Sequence, residues 1–310
     1  MTRRAERFYT GSDGCRFGIR NPLIGFGSPE PVRQVCYNAA LLAVAGGAVA
    51  SEDAEMTSQE MASRIAELGP WFYPFDLGHG VRTESAIPAS VTGIFETRLA
   101  MVDQVVESCF GARLAEASCL DVGCHEGFYA VAMARRGMRR VVGMDVRETN
   151  LRKARFVAEA LGLSNASFFE GNCEQLRAEE IGRFDLTLFL GVLYHLENPM
   201  LCLRNLSAVT KELAIVETQV IEEVEGSTEW GAREWTRKYQ GALAVIDESG
   251  EFHTGVRETG ATPLALCPSP KALEFMLRQA GFRRVELVPP PPGAYEQHQR
   301  GKRVVCAAYQ

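Results

Sequence analysis

The chain has 310 residues, a formal net charge of −6, and 46% hydrophobic and 23% charged residues. That balance is ordinary for a globular protein and excludes a disordered, collagen-like or coiled-coil chain, while the length fits one large domain with additions or two domains. Its cations are 28 Arg and only 5 Lys, and the acidic total argues against a dedicated nucleic-acid binder, which shows a basic domain or stripe.

In chain order, residues 1–30 are Arg-rich and dotted with Gly, Ser and Pro, which predicts irregular structure. Residues 31–50 read as an Ala-rich helix, whose apolar stretch at 35–50 is too short and too rich in small residues to span a bilayer. This apolar extension is a candidate cover for a second subunit or for the chain's own lid. Thr57 and Glu60 have capping-box spacing for a second helix, with Met61, Ile65 and Leu68 on its apolar face and Gly69-Pro70 ending it. Residues 71–83 form a loop dense in aromatics and glycine.

From about residue 90 strands and helices alternate. Helices are expected over 92–109, over 128–136 closed by Gly137, over 151–161 capped near Thr149, and from Pro199. Strands are expected at 117–122, 140–145, 166–170, 184–190 and 213–217. Nearly continuous apolar strands separated by single helices indicate βαβ units and a parallel sheet covered on both faces. Residues 222–262 interrupt the rhythm as an insert rich in Glu, Trp and Gly. A helix from Ser269-Pro270 to Gly281 follows, and strands at 284–288 and 303–309 finish the chain as an antiparallel pair. The domain assignment is therefore an extension over 1–85 and an α/β domain over 86–310, with the insert as a lid.

Nine cysteines lie mostly in apolar runs, and no CxxC or Cys/His pair has zinc spacing. Their odd number, with no secretory leader, fits a reducing cytosol. The expectation is a cytoplasmic protein without a metal.

The most informative run is Asp121-Val122-Gly123-Cys124-His125-Glu126-Gly127, where a strand turns into a helix. Glycine there permits a tight turn and close approach of backbone to ligand. The next strand ends in Asp145, placed to accept hydrogen bonds from both hydroxyls of a ribose. This arrangement resembles class I S-adenosylmethionine-dependent methyltransferases. Aspartate opens the glycine run, the GxGxxG spacing of NAD-binding proteins is absent, and His125 stands where the family usually has glycine. The resemblance implies a Rossmann-like seven-stranded sheet, mostly parallel with the last strand antiparallel. It also implies S-adenosylmethionine as cofactor and S-adenosylhomocysteine as product. Asp121, Gly123, Cys124, His125, Gly127, Asp145 and Gly191 then belong to the cofactor site, with Asn172 and Cys173 against the adenine.

Within the superfamily, GVLYHLENP at 191–199, WFYPFDLGHGVRT at 71–83 and SPKALEFMLRQAGF at 269–282 resemble the tRNA wobble-uridine carboxymethyltransferases. In that branch a lysine in the loop before the sheet domain, and another with a tryptophan in the first helix, hold a carboxylated cofactor. Residues 71–83 have no lysine, and 92–109 have neither lysine nor tryptophan. Tyr194 and Arg303 match positions that contact the extra carboxylate. The missing cations favour ordinary S-adenosylmethionine and plain methyl transfer.

His195 is the candidate general base and Tyr194 orients the acceptor; a helix-start histidine bonded to backbone is the competing reading. Glu217 touches substrate or serves structural pairing. Trp230, Trp235, Tyr239, Phe252 and His253 of the insert form an acceptor lid or simply pack. Arg82 pairs with the cofactor carboxylate or lies on the surface. Eight basic residues between Arg135 and Arg155 face phosphate or solvent. The expected activity is methylation of a small-molecule acceptor at O, N or C. A tRNA wobble-uridine enzyme is the first alternative, and a non-catalytic partner protein with a retained fold is the second.

Overall fold

The computed structural model describes residues 56–249 and 263–310. The helix expected at 31–50, the N-terminal arginines, Phe252 and His253 lie outside the described residues.

The first helix, α1 (Ser58–Leu68), carries the expected capping box: Thr57 and Glu60 bond each other's backbone N–H. Next come α2 (Ala89–Phe110), α3 (Phe128–Arg135), α4 (Glu148–Ala160), α5 (Ala178–Ile181), α6 (Pro199–Val209, with proline in its first turn), α7 (Pro270–Ala280) and α8 (Glu296–Gln299). The strands are β1 (Ser118–Val122), β2 (Arg140–Asp145), β3 (Ala166–Glu170), β4 (Phe184–Leu190), β5 (Thr210–Gln219), β6 (Ser227–Glu229), β7 (Thr236–Lys238), β8 (Leu243–Asp247), β9 (Leu264–Pro268), β10 (Arg284–Val288) and β11 (Arg303–Tyr309).

Seven strands form one sheet in the order β10-β11-β5-β4-β1-β2-β3. The β1–β5 ladders are parallel, and β11 runs antiparallel to both its neighbours. The strand order reverses beside β1, so the loops after β1 and β4 diverge and leave a crevice at the carboxyl edge, where ligands bind in open α/β sheets. Two apolar clusters cover the faces. One holds Trp71, Tyr73, Phe75 and Leu77 with Met101, Val102 and Phe156; the other gathers Phe184, Phe189, Leu203, Leu273 and Phe282. The aromatic loop at 71–83 thus belongs to the core of the sheet domain.

Two details depart from the sequence reading. α4 has no side-chain cap from Thr149, because the helix already begins at Glu148 with Arg147 at the cap position, which puts Thr149 inside the first turn. The insert also contributes regular structure: β6 pairs with β7, and β8 with β9, both antiparallel. Among the described residues no helix is long and apolar enough to cross a membrane.

Candidate active site

A cleft of about 630 Å³ opens at the carboxyl edge. Gly123 and His125 line it after β1, Asp145 to Arg147 after β2, Asn172 and Cys173 after β3, and Gly191, Tyr194 and His195 after β4. Arg303 enters from β11; Phe72, Tyr73, Ile94, Phe95 and Arg98 form the wall nearest the chain's start.

The turn after β1 sets the geometry. Gly123 has φ +74°, and a Cβ there would stand 2.5 Å from Val192 Cγ2, so a side chain is excluded on both counts. His125 also has positive φ, 53°, which explains why glycine is the family's usual residue; histidine is among the side chains that tolerate this region. Its ring packs 4.8 Å from Phe72 and 5.7 Å from Tyr73, which makes it part of the aromatic wall. The His125 backbone N–H donates to Asp145 Oδ2 at 2.9 Å, while Oδ1 accepts from Arg147 N at 2.9 Å and Asn150 Nδ2 at 3.3 Å. A carboxylate offers about four acceptor positions. Three are taken by the chain's own donors, leaving one for a further donor. Burial pushes the Asp145 carboxyl up, against these hydrogen bonds.

Asp121 lies behind the turn, fully buried, accepting the Ala130 N–H at 3.1 Å. Burial, with Asp145's charge adding, pushes its carboxyl from 3.8 up to about 7. A raised folded-state value means that its stabilising contribution is complete below 3.8 and is lost as pH rises to about 7. Asp121→Asn is therefore expected to be more stable than wild type above pH 7, by on the order of a few kcal/mol, with the gap closing on acidification. Urea unfolding at both ends of that window measures it; parallel pH profiles for the two proteins would refute it.

Glu126 holds the aromatic loop to the glycine turn. Its carboxylate accepts the Phe72 N–H at 2.9 Å and the Tyr73 N–H at 3.0 Å, and pairs with buried Lys153, which also donates to the Pro70 carbonyl. Sequence reading passed over Glu126.

Behind the opposite wall Glu217 is completely buried between two cations. Arg98 approaches it at 3.0 Å and Arg303 at 3.1 Å, with His298 Nε2 at 3.4 Å. Burial pushes the carboxyl up, but Arg98, Arg303 and His298 outweigh it and hold Glu217 well below the usual carboxylate range. Arg303 also donates to the Tyr194 hydroxyl at 3.3 Å and the Gln297 amide oxygen at 2.8 Å, while Arg98 donates to the Tyr129 hydroxyl at 3.3 Å. Of Glu217's two candidate roles, the geometry assigns structural pairing. Arg98 had a legible signal: it falls on the stripe Ile94, Arg98, Met101, Val105 that faces the core.

Other candidates lie away from the cleft or are partly engaged within the chain. Arg82 is 71% exposed and pairs with Asp76 at 2.9 Å, a surface ion pair six residues back along its own loop. Cys124 is buried, and Gly127 packs against Ala154 and Phe168. Trp230 and Trp235 are 61% and 66% exposed on the β6–β7 hairpin with Tyr239 beside them, and none of the three lines the cleft. Asn172 Oδ1 accepts the Glu174 N–H, so its amide is partly occupied in capping the turn that follows. In the basic run, Arg136 pairs with Asp103 and Glu107, Arg152 with Glu67 and Arg155 with Glu148.

A family model for a methyltransferase domain matches residues 115–259. The matched stretch is just under half of the chain. The chain is 27% identical over 174 residues to a tRNA U34 carboxymethyltransferase of Idiomarina loihiensis, covering 54% of this chain and 46% of that one. It is 36% identical over 86 residues to a ubiquinone biosynthesis O-methyltransferase of Acinetobacter baylyi, covering 28% of this chain and 36% of that one. The chain thus spans less than half the length of either relative. The N-terminal domain of EvdMO1, solved in the presence of SAH and D-fucose, shares the fold with a TM-score of 0.59 at 23% identity, over 82% of this chain and 95% of that one. The sheet order and the cleft accord with the Rossmann-like methyltransferase class.

Proposed function

We propose that the methyltransferase domain transfers a methyl group from S-adenosylmethionine to a small-molecule acceptor. The residues present fit the cofactor. Asp145 has one acceptor position for a ribose hydroxyl, Asn172 and Cys173 lie where the adenine would sit, and Gly123, His125 and Gly191 surround the methionine end. When bound, the cofactor supplies an activated methyl on a cationic sulfur. Phe72, Tyr73 and Phe95 favour a cation electrostatically, and the cleft walls hold acceptor and methyl in line, which is catalysis by proximity.

The observation that carries the small-molecule reading is the wall itself. Beyond the glycine turn it consists of Phe72, Tyr73, Ile87, Val91, Ile94 and Phe95, and no lysine is among the described residues lining the cleft. Of its three arginines, Arg98 and Arg303 are already engaged with Glu217, and Arg147 lies at the start of α4 beside Asp145. The acid-paired arginines of the 135–155 run also weaken the case for a phosphate-binding face.

Calorimetry with S-adenosylmethionine tests the cofactor. Asp145→Ala is expected to raise its dissociation constant about tenfold or more, the value of one hydrogen bond to a charged group. Unchanged affinity would refute the ribose assignment, and no binding to wild type at millimolar cofactor would favour the non-catalytic partner reading. Salt-sensitive tRNA binding with methyl or carboxymethyl incorporation would replace the small molecule by the wobble-uridine alternative.

A further inference from the structure

The insert delivers a carboxylate to the candidate base. Glu248 follows β8 directly, and its backbone N–H donates to the Pro263 carbonyl at 2.6 Å, which fixes the strand end against the segment leading into β9. Its Oε2 stands 3.7 Å from Nδ1 of His195, and the two side chains are 14% and 18% exposed. That oxygen is buried and accepts no hydrogen bond from the described residues. A buried carboxylate oxygen without a donor is unfavourable, and a small closure of the gap to the neighbouring imidazole N–H would relieve it. The other titratable and charged groups around the pair have their own settings. Tyr194 lies with its ring 4.1 Å from that of His195 and receives Arg303's hydrogen bond. Cys267 of β9 keeps its proton, because burial and then the charge of Glu248 push its thiol up.

We infer that Glu248 is a positioning residue for His195, so that the two form a carboxylate–imidazole dyad at the cleft and the reaction is methylation of an acceptor hydroxyl. The inference rests on the methyl-transfer reading above. Glu248 holds Nδ1–H, which selects the tautomer whose Nε2 accepts a proton. His195 Nε2 takes the acceptor's O–H proton as an oxygen lone pair forms the O–C bond to the methyl carbon. The methyl–sulfur bond breaks with its electrons remaining on sulfur, which becomes a neutral thioether. The imidazolium, held by Glu248, then releases the proton to water. A hydroxyl requires this help because an unionised oxygen is a weak nucleophile. It also gives the insert a role that its exposed tryptophans do not supply.

The test uses the full chain saturated with S-adenosylhomocysteine and needs no identified acceptor. The imidazole signals of His195, assigned by comparison with His195→Ala, are titrated by NMR in wild type and Glu248→Gln. The expected midpoint moves to lower pH in the variant, a loss of roughly tenfold in proton affinity when a neighbouring carboxylate is removed. Glu248→Asp is expected to recover part of the shift, and both variants to bind S-adenosylhomocysteine as wild type does. An unmoved midpoint with normal S-adenosylhomocysteine binding overturns the dyad alone. Absence of binding to wild type overturns the methyl-transfer reading and this assignment with it.

Discussion

Glu217→Gln is expected to lower the unfolding free energy by about 3–5 kcal/mol, because it strands Arg98 and Arg303 as buried cations without a counter-charge. In a domain of this size that corresponds to a melting point lower by on the order of 10 °C. The same arrangement predicts a pH dependence. Glu217's carboxyl is held below its ordinary value of 4.5, so its contribution is complete above that pH and is lost as pH falls through the depressed folded-state value. The gap between wild type and the glutamine variant should therefore be widest near neutrality and narrow below pH 4.5. Urea unfolding across that range measures it. A variant as stable as wild type at neutral pH would mean that the cluster contributes little net stabilisation. Arg303 also bonds Tyr194 in the cleft, so partial loss of turnover is expected to accompany the loss of stability.

His195→Ala is expected to reduce turnover by roughly 10²–10⁴-fold, the usual contribution of a positioned general base, while cofactor affinity stays near that of wild type. The residue sits in the short turn Leu193–His195 that follows β4 and lines the cleft, whereas Asp145 ends the separate strand β2. The separation predicts divided effects: Asp145 variants act on cofactor binding and His195 variants on the chemical step. Paired calorimetry and steady-state kinetics check this. A His195 variant that loses cofactor affinity yet keeps its turnover would return the residue to the alternative of a turn residue bonded to backbone.

Local pattern made much of the fold legible. The strands at 140–145, 166–170, 184–190, 284–288 and 303–309 occur where their apolar runs and flanking turn residues predict them. The Thr57–Glu60 box and the proline opening α6 were likewise readable, since capping depends on residues within one turn of each other. The glycine run marked the cleft because a sharp turn needs residues without a Cβ. Of the two readings of Arg82, the surface one has an equally local basis: Asp76 in its own loop pairs with it. Trp230, Trp235 and Tyr239 of the insert stand exposed at a short hairpin.

The role of charge was legible only in three dimensions. Arg98, Glu217 and Arg303 come from α2, β5 and β11; Glu126 and Lys153 meet the backbone of Phe72 and Tyr73; and His195 meets Glu248 from the insert. Hydrophobic periodicity and glycine placement specified the class of sheet and the edge where a ligand binds, because both are properties of neighbouring residues along the chain. Which charges pair, which are buried and which face the cleft was decided by the packing of segments tens to hundreds of residues apart. Desolvation and Coulomb energy depend on distances in space that no local pattern encodes.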